Sequence, residues 1–307
     1  MGAPDPLAGK TIGGFRLERL LGRGAMAAVY AATTPTGGRV ALKIPIGEAA
    51  RDRELIRRFE REARIGAMVT HPYLCPIVKS GVDRGIRWLA MAHIDGQPLD
   101  DRIDAHGPMP WREAATLLAR AGEAIACLHR AGIIHRDLKP GNLLVGADGS
   151  PSVIDLGFAK IPGEAADAEG SGSAELTVTG VALGSPAYMP PEQVSDAKSV
   201  TPAADVYALA ATFFHAVAGT PPFHGGGSLQ VMTKVLRDPA PRLRSLRPDI
   251  PAGVDRLVAR CLEKNPALRP KDASAWLEHW QAMIADPDRA PGGGGFMQFL
   301  RRIFGRR

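Results

Sequence analysis

The pattern of hydrophobic and polar positions divides the chain into a first part with strand periodicity and a second part with helical periodicity. In the first part, short apolar runs bounded by turn residues predict strands, and one charged amphipathic stretch predicts a helix. The predicted strands lie at residues 15–21, 28–33, 39–44, 75–82 and 88–92, and the helix lies at 51–68. The second part predicts helices at 111–131, 202–218, 228–236, 252–262 and 272–284, with short strands at 143–145 and 152–154.

This order of elements predicts an α+β fold with a cleft between a strand-rich part and a helix-rich part. Residue composition predicts three connecting segments. The sequence DGQP at 95–98 interrupts the pattern and predicts a hinge. Residues 161–175 are rich in Gly, Ala, Ser and acidic residues, which predicts a mobile loop. The run of glycines within 287–295 predicts a flexible tether.

Composition is that of an ordinary globular protein. Of the 307 residues, 45% are hydrophobic and 23% are charged, which is enough apolar material for a sizeable core. The three cysteines are scattered without a CxxC pair, so we expect no disulfide framework or zinc site, and a cytoplasmic location. No signal peptide and no apolar run of transmembrane length is visible. The net charge of +6 includes arginines at 301, 302, 306 and 307, so we expect no nucleic-acid partner.

A glycine-rich segment lies between the first two predicted strands. Its sequence, LGRGAMAAVY at 21–30, places Gly22 and Gly24 where backbone amides approach a phosphate without a Cβ in the way. Two neighbouring glycines are also common in hairpin turns. This segment alone therefore leaves both interpretations open.

One lysine lies within an otherwise apolar predicted strand. Side chains alternate along a strand, so Ala41 and Lys43 share one face and the apolar neighbours share the other. A lysine in such surroundings needs an anionic partner. The following helix offers Glu62 on the stripe that should pack inward. Lys43 and Glu62 are predicted to form a partly buried ion pair, either purely structural or part of a catalytic site.

The segment HRDLKPGNLL at 135–144 brings together the residues that phosphoryl transfer requires, and Asp155 follows at the end of the next predicted strand. Such a reaction needs metal ligands, a group that orients the hydroxyl nucleophile, and cations near the transferred phosphate. Asn142 and Asp155 supply the hard oxygen ligands that Mg²⁺ prefers. Asp137 is expected to accept or orient the hydroxyl proton, and Lys139 to neutralise charge on the transferred group.

These motifs resemble those of the eukaryotic-like serine/threonine protein kinases of bacteria, over residues 10–284. The match to HRDLKPxN is complete, and the lysine two positions after the aspartate is typical of the serine/threonine form. The resemblance implies a bilobal kinase fold, with a small β-rich lobe at 10–92 and a larger, mostly helical lobe at 93–284. It implies a hinge near 92–98 and an activation segment at 155–192. Residues 1–9 would then be an N-terminal extension, 285–295 a Gly/Pro linker and 296–307 a basic amphipathic tail.

The resemblance also implies roles for individual residues. Lys43 is expected on the α- and β-phosphates of ATP, held there by Glu62. The remaining expected nucleotide-binding residues are Leu21, Gly22, Gly24, Val29, Ala41, Met91 as the gatekeeper and His93 in the hinge. The residues expected to be architectural are Glu192 with its partner Arg269, and Asp205 beneath the segment at 135–144, which is the catalytic loop of the resembled family.

An enzyme of this kind would use ATP with Mg²⁺, or with Mn²⁺ as an alternative, and would act on protein substrates. The resemblance also allows a homodimer through the smaller lobe. Thr177 and Thr179 match the paired activation-loop threonines that such kinases phosphorylate in themselves, although they could be ordinary loop threonines. A phosphate there would order the loop through an arginine cluster.

Some positions depart from the pattern of the family. Ala27 replaces the third loop glycine and Leu156 replaces the usual Phe, but neither change removes a phosphate-binding, metal-binding or proton-handling group. We therefore expect an active enzyme. Two alternatives are a pseudokinase that serves as a scaffold, which the complete catalytic set argues against, and a small-molecule kinase. The segment GSPAYMPPE at 184–192, which resembles a peptide-binding segment, favours a protein substrate.

The tail at 296–307 places its apolar residues on one helical face with arginines around it. A helix of this kind is suited to peripheral contact with an anionic membrane, here the inner face of the cell membrane. Docking on the kinase's own lobe or on a partner is the alternative.

Overall fold

The computed structural model describes Asp5 and residues 7–160, 185–196 and 199–288. Thr177, Thr179, Gly184 and the tail at 296–307 lie outside this part of the chain. Within it, no helix has both the length and the apolar character needed to cross a membrane.

The smaller lobe is built on an antiparallel sheet with the strand order β1-β2-β3-β4-β6-β5. Its strands are β1 (Thr11–Ile12), β2 (Phe15–Arg23), β3 (Ala27–Thr33), β4 (Arg39–Pro45), β5 (Ile77–Asp83) and β6 (Ile86–Ala92). The single long helix of this lobe, α1 (Arg53–Met68), connects β4 to β5. The predicted strands and helix are all present, with ends shifted by a few residues.

The two faces of β4 enter different clusters, as the alternation predicts. Val40, Leu42 and Ile44 pack with the outer-face residues of the sheet. Ala41 packs on the other face with Phe59 of α1. Lys43 shares the face of Ala41, so the strand delivers its charged side chain toward α1 rather than into the outer cluster.

Helix α1 begins at a capping residue. The Asp52 carboxylate accepts hydrogen bonds from the backbone amides of Glu54 and Leu55, at 2.8 and 3.0 Å. This cap satisfies two of the amides that the first turn leaves without a partner, so the helix starts at Arg53 and not at the predicted position 51.

The larger lobe contains a small antiparallel sheet with the order β7-β8-β9, formed by β7 (Gly96–Pro98), β8 (Leu143–Gly146) and β9 (Pro151–Val153). Its helices are α2 (Leu99–His106), α3 (Trp111–Arg130), α4 (Pro191–Ser195), α5 (Ala203–Ala218), α6 (Ser228–Arg237), α7 (Leu243–Leu246), α8 (Ala252–Cys261) and α9 (Ala273–Ala285). Part of the predicted hinge at 95–98 is thus a short strand, β7, which pairs with β8. Sequence reasoning missed α2, whose buried face consists of only two residues, Leu99 and Ile103.

Helix α5 is the centre of the larger lobe. Nearly all of its side chains are buried, so its sequence is apolar on every face, unlike that of an amphipathic surface helix. Trp276 and Trp280 of α9 stack on each other, with ring centroids 4.7 Å apart, and Trp280 meets Phe213 of α5 edge to face. This apolar packing fixes α5, and α5 carries one polar residue, Asp205, toward the catalytic loop.

The packing of α1 on β5 leaves no room for a side chain at Gly66. An added Cβ would lie 2.0 Å from Cγ1 and 2.7 Å from Cβ of Ile77. We predict that Gly66→Ala lowers the free energy of unfolding by ~1–3 kcal/mol, because the clash outweighs the ~1 kcal/mol that alanine gains in a helix. Urea denaturation measures the difference.

Met68→Ala is the matched control on the same helix. Met68 is 59% exposed, so its truncation should change stability by less than ~0.5 kcal/mol. A Gly66→Ala protein at least as stable as the wild type would contradict the packing argument.

Candidate functional site

A cavity of about 320 Å³ lies between the two lobes. Its lining includes residues from β3, β4, α1 and the loops of the larger lobe. The residues of sequence interest that line it are Gly24, Val29, Lys43, Glu62, Asp137, Lys139 and Asp155. The structure therefore brings seven of the predicted site residues to one place, although they come from distant parts of the sequence.

Lys43 lies between two carboxylates. Its Nζ is 2.7 Å from Oε2 of Glu62 and 3.3 Å from Oδ1 of Asp155. The Lys43 side chain is 16% exposed and that of Glu62 only 3%. The predicted ion pair is present, and it extends to Asp155 of the larger lobe.

Burial and charge act in opposite directions on this cluster. Burial lowers the pKa of Lys43, but the charges of Asp155 and Glu62 outweigh it and hold that pKa above its ordinary value. Burial raises the pKa of Asp155, and the Lys43 charge with the Gly157 amide reverses this and lowers it. Glu62 is so deeply buried that its pKa is raised despite Lys43. The lysine is thus held as a cation at neutral pH.

Asp137 and Asn142 are linked directly within the catalytic loop. The side-chain nitrogen Nδ2 of Asn142 donates to the Asp137 backbone carbonyl at 2.6 Å and to Asp137 Oδ2 at 2.9 Å. Lys139 donates to the same Oδ2 at 2.9 Å. With its side-chain nitrogen engaged in this way, Asn142 would offer its side-chain oxygen as a metal ligand.

The pKa of Asp137 is raised, first by burial and against the opposing effect of Lys139. A carboxylate with a raised pKa is a stronger proton acceptor, provided that it lies within reach of a hydroxyl. The cavity supplies the access, since Asp137 and Lys139 both line it.

Two residues of the site have left-handed backbone conformations: Arg136 with φ of +67° and Asp155 with φ of +64°. Such conformations cost about 1–3 kcal/mol in non-glycine residues and persist where the surroundings fix them. Both backbone polar groups of Arg136 are engaged. Its amide donates to Asp205 Oδ1 at 2.9 Å, and its carbonyl accepts from Gln193 Nε2 at 2.8 Å.

Asp205 holds the catalytic loop from below. It is fully buried, and its Oδ2 accepts a hydrogen bond from the His135 amide at 2.8 Å. The same oxygen lies 2.8 Å from Nε2 of His129. Burial raises the pKa of Asp205, but the bonds from His129 and the loop outweigh this and lower it.

Glu192 and Arg269 form a bidentate ion pair, as the sequence predicts. Nη1 and Nη2 of Arg269 lie 2.7 and 2.8 Å from the two carboxylate oxygens of Glu192. Arg269 is only 3% exposed and also donates to the carbonyls of Glu263 and Lys264. The pair lies away from the cavity and fastens the end of the 185–192 segment to the larger lobe.

The remaining predicted nucleotide residues lie outside the lining of the cavity: Leu21, Gly22, Ala41, Met91 and His93. Ala41 and Met91 are opposite each other on β4 and β6 and belong to one apolar cluster. The His93 ring faces Arg39 and Asp95, with ring nitrogens 3.4 Å from each. The expected role of the His93 backbone in a hinge stays a prediction.

Sequence patterns held little signal for several neighbours of the site. Arg58 of α1 lines the cavity and stacks on Phe158, with its guanidinium carbon 4.6 Å from the ring centroid. Its position one turn before Glu62, on the same helical face, was the one available clue. For His129 there was no clue, because its partner Asp205 is 76 residues away.

Comparison with known proteins agrees with this geometry. Residues 15–281 match the family model of the protein kinase domain. The chain belongs to the protein kinase family. Its fold is the bilobal protein-kinase fold, as the resemblance implied, and the family uses ATP with a divalent metal ion.

Named relatives place the chain among the bacterial serine/threonine kinases. It is 37% identical over 288 residues to the serine/threonine-protein kinase PknA of Mycobacterium tuberculosis, covering 92% of this chain and 64% of PknA. It is 37% identical to the serine/threonine-protein kinase AfsK of Streptomyces coelicolor, covering 86% of this chain and 31% of AfsK. The chain thus spans less than two thirds of the length of these curated relatives.

A solved structure agrees on the fold. The crystal structure of a point mutant of the Mycobacterium tuberculosis PknI kinase domain superposes with a TM-score of 0.69 at 27% identity. The match covers 93% of this chain and all of that domain. The kinase family, the α+β architecture and the eukaryotic-like bacterial type are confirmed. The roles of single residues, the domain boundaries, the membrane contact and the homodimer stay predictions.

The buried position of Asp205 leads to a stability prediction. We expect Asp205→Asn to lower the free energy of unfolding by ~3 kcal/mol, because asparagine removes the negative charge facing His129 and has one acceptor oxygen where the carboxylate uses two. Denaturant unfolding at neutral pH measures this loss. Equal stability of the two proteins would exclude Asp205 as the anchor of the loop.

The contribution of the Asp205 carboxylate to the free energy of unfolding depends on pH. Its pKa in the folded protein is below the ordinary value of 3.8, so its contribution is present above that value and is lost as the pH falls toward the folded-state pKa. The stability difference between wild type and Asp205→Asn should therefore shrink below pH 3.8. A difference that stays constant as the pH is lowered well below that value would contradict this assignment.

Proposed function

We propose that this chain transfers the γ-phosphate of Mg-ATP to serine or threonine hydroxyls of protein substrates. The observation that carries the proposal is the convergence of Lys43, Asp137 and Asp155 on one cavity, with Asn142 bonded to Asp137 at its edge. Each of the four would be unusual in a protein interior alone, and together they form the set that phosphoryl transfer requires.

Lys43 binds the α- and β-phosphates in this proposal. The carboxylates of Glu62 and Asp155 keep Lys43 charged and limit the movement of its side chain. Lys43 therefore presents a positive charge at a fixed position in the cavity. The Gly22–Gly24 loop covers the phosphates with its backbone amides. The adenine lies against Val29, Ala41 and Met91 and bonds the backbone near His93.

Asn142 and Asp155 are the proposed metal ligands. Both present hard oxygen atoms, a donor set that suits Mg²⁺ better than a softer ion, and Mg²⁺ retains water and phosphate oxygens for its other positions. The metal would neutralise charge on the phosphates when bound. We therefore favour Mg²⁺, with Mn²⁺ as a substitute of the same ligand preference.

Asp137 orients the substrate hydroxyl and receives its proton, because its carboxylate lines the cavity with a raised pKa. Glu62, the other cavity carboxylate with a raised pKa, is engaged by Lys43. Lys139 holds Asp137 in place and offers its positive charge to the transferred phosphate. The roles of proton acceptor and metal ligand thus fall on Asp137 and Asp155, whose pKa values are shifted in opposite directions.

A phosphorylated activation segment would complete this site. Arg136 precedes Asp137, and its pKa is lowered by burial and by the neighbouring charge of Arg61 of α1. An arginine at this position is suited to bind a phosphate group. We propose that phosphorylated Thr177 or Thr179 supplies it, in a segment outside the described residues. The membrane contact of the tail and the homodimer remain part of the proposal without support from the described residues.

Site variants test the chemistry. We predict that Asp137→Asn lowers kcat by about 10²–10⁴-fold while Mg-ATP binding persists, because the nucleotide contacts stay in place. Lys43→Met should weaken nucleotide binding as well. Transfer of radiolabelled phosphate to a generic basic protein measures turnover, and isothermal titration calorimetry measures binding.

Lys79→Met is the matched control for Lys43→Met, since Lys79 is exposed on β5 and should tolerate the change. Nucleotide binding without transfer by the wild-type protein would favour a pseudokinase. Transfer to a small aminoglycoside-type acceptor but to no protein would favour a small-molecule kinase.

Activation is tested separately. After incubation with Mg-ATP, mass spectrometry should find phosphate on Thr177 or Thr179 in the wild-type protein and not in Asp137→Asn. Thr177→Ala/Thr179→Ala should lower kcat by at least about tenfold, since Arg136 then has no phosphate to bind. Full activity of the double variant would exclude this mode of activation.

A further inference from the structure

A carboxylate from the N-terminal segment contacts both strands that carry the glycine-rich loop. Asp5 Oδ2 lies 3.0 Å from Nη2 of Arg23, at the end of β2. Its Oδ1 accepts a hydrogen bond from the hydroxyl of Tyr30 on β3 at 2.9 Å. Arg23 belongs to the loop itself, between Gly22 and Gly24.

The segment that carries Asp5 is itself fixed to the lobe. The Gly9 amide donates to the Leu17 carbonyl of β2, and the Leu17 amide donates to the Lys10 carbonyl, both at 2.9 Å. Leu7 packs against the outer apolar cluster of the sheet. Asp5 therefore reaches the loop from an ordered base.

The contact is between a charged acceptor and protonated donors. The pKa of Asp5 is below its ordinary value, first because the Leu7 amide donates to its carboxylate. The pKa of Tyr30 is raised, first by burial and then by the bond to Asp5. At neutral pH the tyrosine thus keeps its proton and donates it to a carboxylate.

The hydrogen bond from Tyr30 to Asp5 joins a buried aromatic residue to a carboxylate. The Tyr30 ring is fully buried in the outer cluster, and its hydroxyl lies within hydrogen-bond distance of both Asp5 oxygens, at 2.9 and 3.1 Å. The neighbouring Val29 lines the cavity and pairs with Lys43 in the β3–β4 register. The contact is therefore one residue away from the wall of the nucleotide site.

We propose that Asp5 is a positioning residue for nucleotide binding, which links β2 and β3 from the outer face of the sheet and limits the movement of the glycine-rich loop. This inference depends on the proposed function for its catalytic consequence. The ordering of the glycine-rich loop by Asp5 does not depend on the proposed function, so the loop ordering and the proposed function can be tested separately.

Three variants each remove a different part of the contact: Asp5→Ala, Arg23→Gln and Tyr30→Phe. Tyr30→Phe removes only the hydroxyl and keeps the ring packed. We expect Asp5→Ala to raise the Kd for Mg-ATP about threefold to fivefold, since a partly exposed pair is a modest clamp, with kcat within about twofold. The double variant Asp5→Ala/Arg23→Gln should bind no more weakly than Asp5→Ala, because both changes break one contact.

Hydrogen–deuterium exchange of the nucleotide-free protein reads the loop directly. Amides of residues 22–28 should exchange faster in Asp5→Ala than in the wild type. Lys10→Gln is the matched control, because Lys10 is exposed on the same segment and should change neither exchange nor Kd. Thermal denaturation verifies that all variants are folded.

Unchanged loop exchange and unchanged Kd in the three single variants would overturn the proposal. So would a loss of thermal stability in Asp5→Ala with loop exchange as in the wild type, because that pattern marks a purely structural contact. If the wild-type protein bound no Mg-ATP, the proposed function would fail, and the exchange measurement would still decide the inference.

Discussion

The position of Lys43 between Glu62 and Asp155 is the constraint on which the site depends. A lysine buried alone would lose its charge, and either carboxylate buried alone would gain a proton. The ion pairs therefore form only when β4, α1 and the Asp155 loop are all in place. With their ordinary charges, the three groups carry a net negative charge, which suits a site that must also accept a divalent cation. The ion pairs at the cavity thus depend on the correct placement of both lobes.

The larger lobe supplies rigidity to the same site. Asp205 is held by a helix that is apolar on all sides, so its position is fixed by packing and not by solvent-exposed contacts. From there it fixes the backbone of His135 and Arg136, and the left-handed conformation of Arg136 follows from this restraint. The strain near Asp137 is consequently supported by the core, which is how a catalytic loop can hold an otherwise unfavourable geometry.

Much of this was open to prediction from the sequence, for physical reasons that differ between elements. The alternation along β4 placed Lys43 on the correct face, and helical periodicity placed Glu62 opposite it, because burial enforces both periods. The short helices α2, α4 and α7 escaped prediction, since four to eight residues are too few for an apolar stripe to repeat clearly. The contacts of His129 with Asp205 and of Asp5 with Tyr30 escaped because they depend on how the chain brings distant residues together, which local patterns do not encode.

The strand register of the smaller lobe relates the contact of Tyr30 on the outer face of the sheet to the cavity on the inner face. Val29 is opposite Lys43, and Tyr30 is opposite Leu42, so the outer-face contact of Tyr30 and the inner-face lysine are one residue apart in the ladder. Because a strand moves as a unit, a shift of β3 at Tyr30 moves Val29 and changes the wall next to Lys43. A contact outside the cavity can thus act on the part of the cavity next to Lys43 without touching a ligand, provided that it holds β2 and β3 together.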